Sequence, residues 1–217
     1  MPSDGSVPVD WQLVASPIEF VLFDLGGVLI DPGGVGRMRE LSGLASDDEV
    51  WARWLRCRWV RQIEAGRCTP QEFAVGLIGD WGLDVTPEAF LTEFASWPGP
   101  PYSGAFDVVA EVRDQLPIGF LSNANAVHWG ANYEGAPITD AFEHRFLSFE
   151  LGMVKPDREI FDAVAARLPV PRERVLFLDD IALNVEAARA AGFQAQQVRR
   201  PDGARAALVE AGVLGRV

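Results

Sequence analysis

Two hydrophobic rhythms share this chain. In one, short runs of strand-forming residues end in polar turns and are followed by stretches of helical period. The first such run, FVLF, closes a strand expected over residues 18–24 and ends in a lone acid, Asp24, followed at once by Gly26 and Gly27. Later runs are IGFLS, HRFLSF, RVLFLDD and FQAQQV. Helices are predicted between them over 105–116, through His128 and Trp129, over 157–168 and over 181–191, with a last one from Asp202. The second rhythm fills residues 34–97, where every segment is helical and no strand pattern occurs. There WARWLRCRWVRQIEAG places Trp51, Leu55, Trp59 and Ile63 about four apart, the spacing of one helix face. Thr69, Pro70 and Glu72 form a capping-box opening, and Thr86, Pro87 and Glu88 open the next helix in a similar way.

Strands alternating with helices of this length predict βαβ units and a parallel sheet. The first strand must join that sheet, so the helical block is an insertion. The expected fold is α/β: a Rossmann-like doubly wound parallel sheet core carrying an inserted all-helical cap domain. The expected division is a loose N-terminal tail over 1–16, a core from 17–32 and 99–217, and the cap over 33–98, with the proline-rich Pro98–Pro101 as a linker.

In open parallel sheets, ligands bind beyond the carboxyl ends of the strands. At those ends stand Asp24, then Ser122 and Asn123, then Lys155 in the loop FELGMVKPD, then Asp179 and Asp180 with Asn184 one helical turn on. Each has an ordinary alternative as a turn, cap or solvated residue. Their arrival in order at one sheet edge is what suggests chemistry. Asp24 with the acid pair makes a hard-oxygen site suited to Mg²⁺. Lys155, Ser122 and nearby backbone N–H groups can neutralise and hold phosphate oxygens. The glycines after Asp24, Gly27 among them, allow close approach of backbone. A carboxylate can attack phosphorus to give an aspartyl-phosphate that water then hydrolyses.

Composition narrows the field. The 217 residues are 48% hydrophobic and 23% charged, enough to bury a core. No apolar run reaches the length of a membrane span, and the N-terminus lacks the charged and apolar regions of a signal peptide. The net charge of −12 argues against a nucleic-acid or anionic-membrane partner, and an anionic substrate would need local help from a metal, a lysine or helix N-termini. The site residues above suit a small phosphorylated substrate. Cys57 and Cys68 fit neither a zinc pattern nor a disulfide framework, which suits free thiols in the cytoplasm. A monomer or a homodimer is expected.

The four motifs FDLGGVLID, LSN, GMVKP and FLDDIALN, in this order over residues 18 to about 200, resemble the haloacid dehalogenase (HAD) superfamily. The resemblance is to its branch with a helical cap inserted after the first motif. It is closest to the sugar-phosphatase group reading DLGN or DLGG and to the phosphatase domain of soluble epoxide hydrolases. It implies a Mg²⁺-dependent phosphatase with Asp24 as nucleophile and metal ligand. The Gly26 carbonyl, Asp180 and Asp179 would be further ligands, the last directly or through water. Ser122, Asn123 and Lys155 would hold the phosphate, and Asn184 would orient the metal acids. Cap residues Trp54, Arg58 and Arg61 would choose the substrate.

The departure is Gly26. Most phosphatases of the family carry there an acid that protonates the leaving group, help typically worth about 10²–10⁴-fold. Asp31 and His128 are alternative donors, and His144 is expected to be structural. Without the acid, a second reading stands: a protein of low or no activity that binds a phosphorylated ligand or a partner. The family's dehalogenases also lack the acid, but they use no metal and are not expected to keep Asp179 and Asp180. A receiver-type signalling domain would have its acid pair after the first strand and no room for the cap.

Overall fold

The computed structural model describes residues 17–215; the expected 1–16 tail lies outside the described residues. The elements in order are β1 (Phe20–Phe23), α1 (Val35–Ser42), α2 (Asp47–Trp54), α3 (Arg58–Glu64), α4 (Pro70–Trp81), α5 (Pro87–Phe94) and α6 (Ala105–Arg113). Then follow β2 (Ile118–Ser122), α7 (Ala126–His128, continued by a π-turn), α8 (Pro137–Asp140), β3 (His144–Leu147), α9 (Ser148–Leu151) and α10 (Arg158–Ala165). The chain closes with β4 (Val175–Asp179), α11 (Ala182–Ala190), β5 (Gln194–Gln197) and α12 (Arg200–Glu210).

The strands form one parallel sheet in the order β3-β2-β1-β4-β5. Its central strands β1, β2 and β4 are buried along their whole length, the pattern of a sheet covered on both faces. Side chains of β1 alternate between the two cores. Val21 and Phe23 join α6 and α12 on one face. Phe20 and Leu22 join α10 and α11 on the other. β5 reads QAQQ, polar enough for its edge position.

The block α1–α5 lies between β1 and α6 and has an apolar core of its own, built on Met38, Val60, Phe73, Leu77, Phe90 and Phe94. The two passages between block and sheet run side by side. Gly99 N donates to Asp31 O at 2.9 Å, and Tyr102 N to Leu29 O at 2.9 Å.

The sequence expectations hold for the order of elements and fail in places on their limits. WARWLRCRWVRQIE is not one helix: α2 stops at Trp54 and α3 restarts at Arg58, with extended Cys57 between them. The buried residues are Val50, Cys57, Val60 and Ile63, while Leu55 is exposed. The break turns α3 so that its apolar side and that of α2 both reach the cap core, which one straight helix could not do. Thr69 forms the expected capping box, whereas Thr86 caps its helix by accepting from Ala89 N without one, because Glu88 sits one position too early. β3 ends at Leu147 instead of running through Phe149. Ser148 Oγ accepts from Ala124 N at 2.9 Å and donates to Ala124 O at 3.1 Å, so the chain leaves the sheet there.

Candidate active site

The carboxyl ends of β1, β2 and β4 and the loop after α9 bring the predicted residues together. Asp24 follows β1, anchored by its N–H on Leu178 O at 2.7 Å. Lys155, almost fully buried, is the hub. Its Nζ lies 2.6 Å from Asp179 Oδ2, 3.0 Å from Asp24 Oδ1 and 3.0 Å from Leu121 O. The Lys155 backbone is clasped by Asn123, whose Oδ1 accepts from Lys155 N at 2.9 Å and whose Nδ2 donates to Lys155 O at 3.1 Å. Asn123 therefore fixes the lysine as well as flanking the site. Ser122, the last residue of β2, is buried beside it.

Asp179 accepts from Lys155, from Ile181 N at 2.8 Å and from Asn184 Nδ2 at 3.0 and 3.1 Å. Asn184 thus orients the acid from the first turn of α11. Asp24, Asp179 and Asp180 each offer an oxygen within 4.8 Å of the others, a donor set that fits a hard divalent cation. Gly27 shows why its side chain must be absent. Its φ is +72°, and a Cβ there would overlap the Asp180 carboxylate. At Gly26 a Cβ would meet only Pro32 Cβ, at 3.8 Å, an ordinary contact, so a side chain can start there without a clash.

Charge crowding marks the cluster. Burial pushes the Asp24 carboxyl up to about 8, Asp179 and Asp180 add to that, and Lys155 opposes it. Burial and Asp179 raise Asp180 to about 6. Burial pulls Lys155 down, but Asp179 and Asp24 outweigh it and hold the ammonium well above its ordinary value. Three acids facing one lysine leave excess negative charge, which a divalent cation would neutralise.

The other predicted residues lie elsewhere. Trp54, expected to help choose the substrate, does not face an open cleft surface as a free side chain would. It packs in the cap's aromatic core against Phe73, Trp81, Phe94 and Trp97, with ring centroids 6.1–6.5 Å apart, because α2 ends there and turns it inward. Arg58 is exposed, 3.2 Å from Asp80 within the cap. Arg61 reaches the core, with Nη2 2.7 Å from Asp157 Oδ2. Asp31 is exposed and its carboxylate accepts from Gly33 N at 3.0 Å, the turn role. His128 approaches Phe94 O at 2.9 Å through Nε2, and burial lowers it to about 4, so it carries no extra proton near neutrality. His144 packs edge-on against Phe20.

One acid at the site was missed by the sequence reading. Glu64, the last residue of α3, has its carboxyl close enough to Asn123, Lys155 and Arg61 to feel all three. Burial pushes it up to about 7, against the pull of Lys155 and Arg61. Nothing local in QIEAGR distinguishes this glutamate from a solvated one, since its partners come from distant stretches of chain.

The fold and these four motifs meet in one family. Residues 18–192 match the haloacid dehalogenase-like hydrolases, and the chain belongs to that family. It is 26% identical over 191 residues to a D-ribitol-5-phosphate phosphatase of Bacteroides thetaiotaomicron, covering 83% of this chain and 91% of the relative. It is also 26% identical over 195 residues to an (S)-2-haloacid dehalogenase of Pseudomonas sp., covering 84% and 83%. Among solved structures, a HAD-family enzyme of B. thetaiotaomicron in complex with magnesium and inorganic phosphate superposes with a TM-score of 0.67 at 28% identity, covering 84% of this chain and 94% of that one.

Proposed function

We propose that the protein is a Mg²⁺-dependent phosphatase of a small phosphorylated metabolite, a sugar or polyol phosphate, working through an aspartyl-phosphate. The observation that carries this reading is Lys155 held between Asp24 and Asp179 with Asp180 completing a three-acid cluster. Displacement of a halide by a carboxylate calls for no cation, and so for no cluster of three acids to hold one. Phosphoryl transfer does, through the cation they hold. The phosphatase relative and the phosphate-bound neighbour point the same way.

Asp24, Asp180, Asp179 and the Gly26 carbonyl would hold Mg²⁺. The ion supplies neutralisation of phosphate charge and orientation of the phosphoryl group. Asp24 attacks phosphorus along the line opposite the leaving oxygen. Lys155 balances the charge on Asp24 and, with Ser122 and Asn123, holds the phosphate oxygens. Asn184 keeps Asp179 aligned. The helical block over 33–98 acts as the cap that closes the site from water. Arg61 ties that block to the core through Asp157, while Trp54 shapes it from within.

The test is phosphate release from sugar 1-phosphates, sugar 6-phosphates, ribitol 5-phosphate and nitrophenyl phosphate, with Mg²⁺ and with EDTA. Mg²⁺-dependent release that Asp24→Asn abolishes is the expected result. The lack of an acidic side chain at Gly26 favours a second reading, a phosphate-ligand binder without turnover. Ligand-induced stabilisation with every substrate untouched, nitrophenyl phosphate included, would establish that second reading instead.

A further inference from the structure

We propose that Glu64, delivered by the cap, is the general acid and base that Gly26 does not supply. The proposal rests on the phosphatase reading above and deepens it.

Three observations place Glu64 for this task. First, the C-terminal end of α3 is pressed onto the core. Arg61 pairs with Asp157 at 2.7 Å, and Arg67 Nη2 donates to Gly152 O at 2.7 Å. Between them Gly66 adopts φ +62° and lies so close to the Phe149 carbonyl that a Cβ would come within 2.5 Å of its oxygen. Secondly, this docking brings the carboxyl within reach of Asn123 and Lys155, two of the groups assigned to the phosphate, without its being one of the three metal-site acids. A nucleophile in the core leaves the departing oxygen on the cap side, where Glu64 is. Thirdly, the charges facing it are Lys155 from the core and Arg61 from its own helix, with Asn123 neutral, and burial outweighs both. The group therefore exchanges its proton close to neutrality, as acid–base work requires.

The steps balance. Asp24 Oδ forms a bond to phosphorus as the bond from phosphorus to the leaving oxygen breaks. That oxygen takes the electron pair and the Glu64 proton, and departs as an alcohol. The Glu64 carboxylate then takes a proton from water as the water oxygen attacks phosphorus. The bond from phosphorus to Asp24 breaks, which frees phosphate, the Asp24 carboxylate and protonated Glu64.

The experiment compares wild type, Glu64→Gln and the double variant Glu64→Gln/Gly26→Asp on ribitol 5-phosphate, whose alkyl leaving group needs a proton, and on nitrophenyl phosphate, whose leaving group needs none. Glu64→Gln is expected to lower kcat on the alkyl ester by about 10²–10⁴-fold with little change in KM, and to spare nitrophenyl phosphate when its aspartyl-phosphate formation limits the rate. That step is isolated by single-turnover measurement. Gly26→Asp, whose Cβ enters without a clash, is expected to restore part of the loss. Wild-type kcat on the alkyl ester should fall as pH rises past about 7, and the Gln variant should lose that limb. Equal loss on both esters in single turnover, a change in KM alone, or no loss overturns the proposal. So does wild-type turnover confined to nitrophenyl phosphate. A wild type inactive on both esters defeats the phosphatase reading itself, and the role of Glu64 with it.

Discussion

Lys155 Nζ stands 3.0 Å from Asp24 Oδ1 and 2.6 Å from Asp179 Oδ2, so a single buried ammonium ties the end of β1 to the end of β4. Removing it leaves two buried carboxylates facing each other with no cation between them. Lys155→Met should cost about 3–5 kcal/mol of stability without metal, the usual penalty for breaking a buried ion pair. Added Mg²⁺ should return part of that, because it supplies positive charge to the same acids, while turnover stays lost. Thermal unfolding with Mg²⁺ and with EDTA checks this. Unchanged stability would show that the lysine does not carry the cluster.

Gly27 tests the tightness of the same site. Gly27→Ala adds a left-handed backbone penalty of about 1–2 kcal/mol and pushes Asp180 aside, since the new Cβ overlaps its carboxylate. The expected outcome is a small loss of stability with a large loss of Mg²⁺ affinity, read by calorimetric titration. Normal metal affinity would remove Asp180 from the ligand set.

Binding of the ion to the folded state alone should raise stability by about 2.7 kcal/mol at a concentration 100 times its Kd. Asp180→Asn should abolish most of that gain. Denaturant titrations with and without Mg²⁺ measure it, and an equal gain in the variant would place the ion elsewhere.

His128 ties the cap to the core through Phe94 O, is partly buried there and stays neutral. Its folded value is lowered to about 4 from 6.5, so between those values the unfolded chain binds more protons. Stability contributed by this residue is therefore full above about pH 6.5 and falls as pH drops toward 4. Between pH 7 and pH 4.5 the loss should be about 2 kcal/mol. His128→Gln, which keeps a donor for Phe94 O, should flatten this acid limb in urea titrations. An unchanged limb would assign acid sensitivity to other groups.

Arg61 and Asp157 are both partly exposed, so their pair should add under about 1 kcal/mol to stability. Its use is in positioning α3. Arg61→Ala should leave the melting temperature nearly unchanged and depress turnover of the alkyl ester, as a loosened Glu64 would. A fall in stability without a change in rate would reverse that assignment.

What the sequence determined by itself is the part governed by local physics. Strand-forming runs ending in Asp24, Ser122 and Asp179 announced a parallel sheet with its chemistry at one edge, because period and turn residues act over a few positions. The capping box at Thr69 was legible for the same reason. Tertiary structure decided the rest. It broke the expected Trp51–Ile63 helix at Leu55–Cys57 and turned Trp54 into the aromatic core, since burial against distant Phe73 and Phe94 outweighs three more residues of helix. It also carried Glu64 from an ordinary-looking helix end to Asn123 and Lys155. A carboxyl's proton affinity depends on what surrounds it after folding, and no spacing within QIEAGR records that.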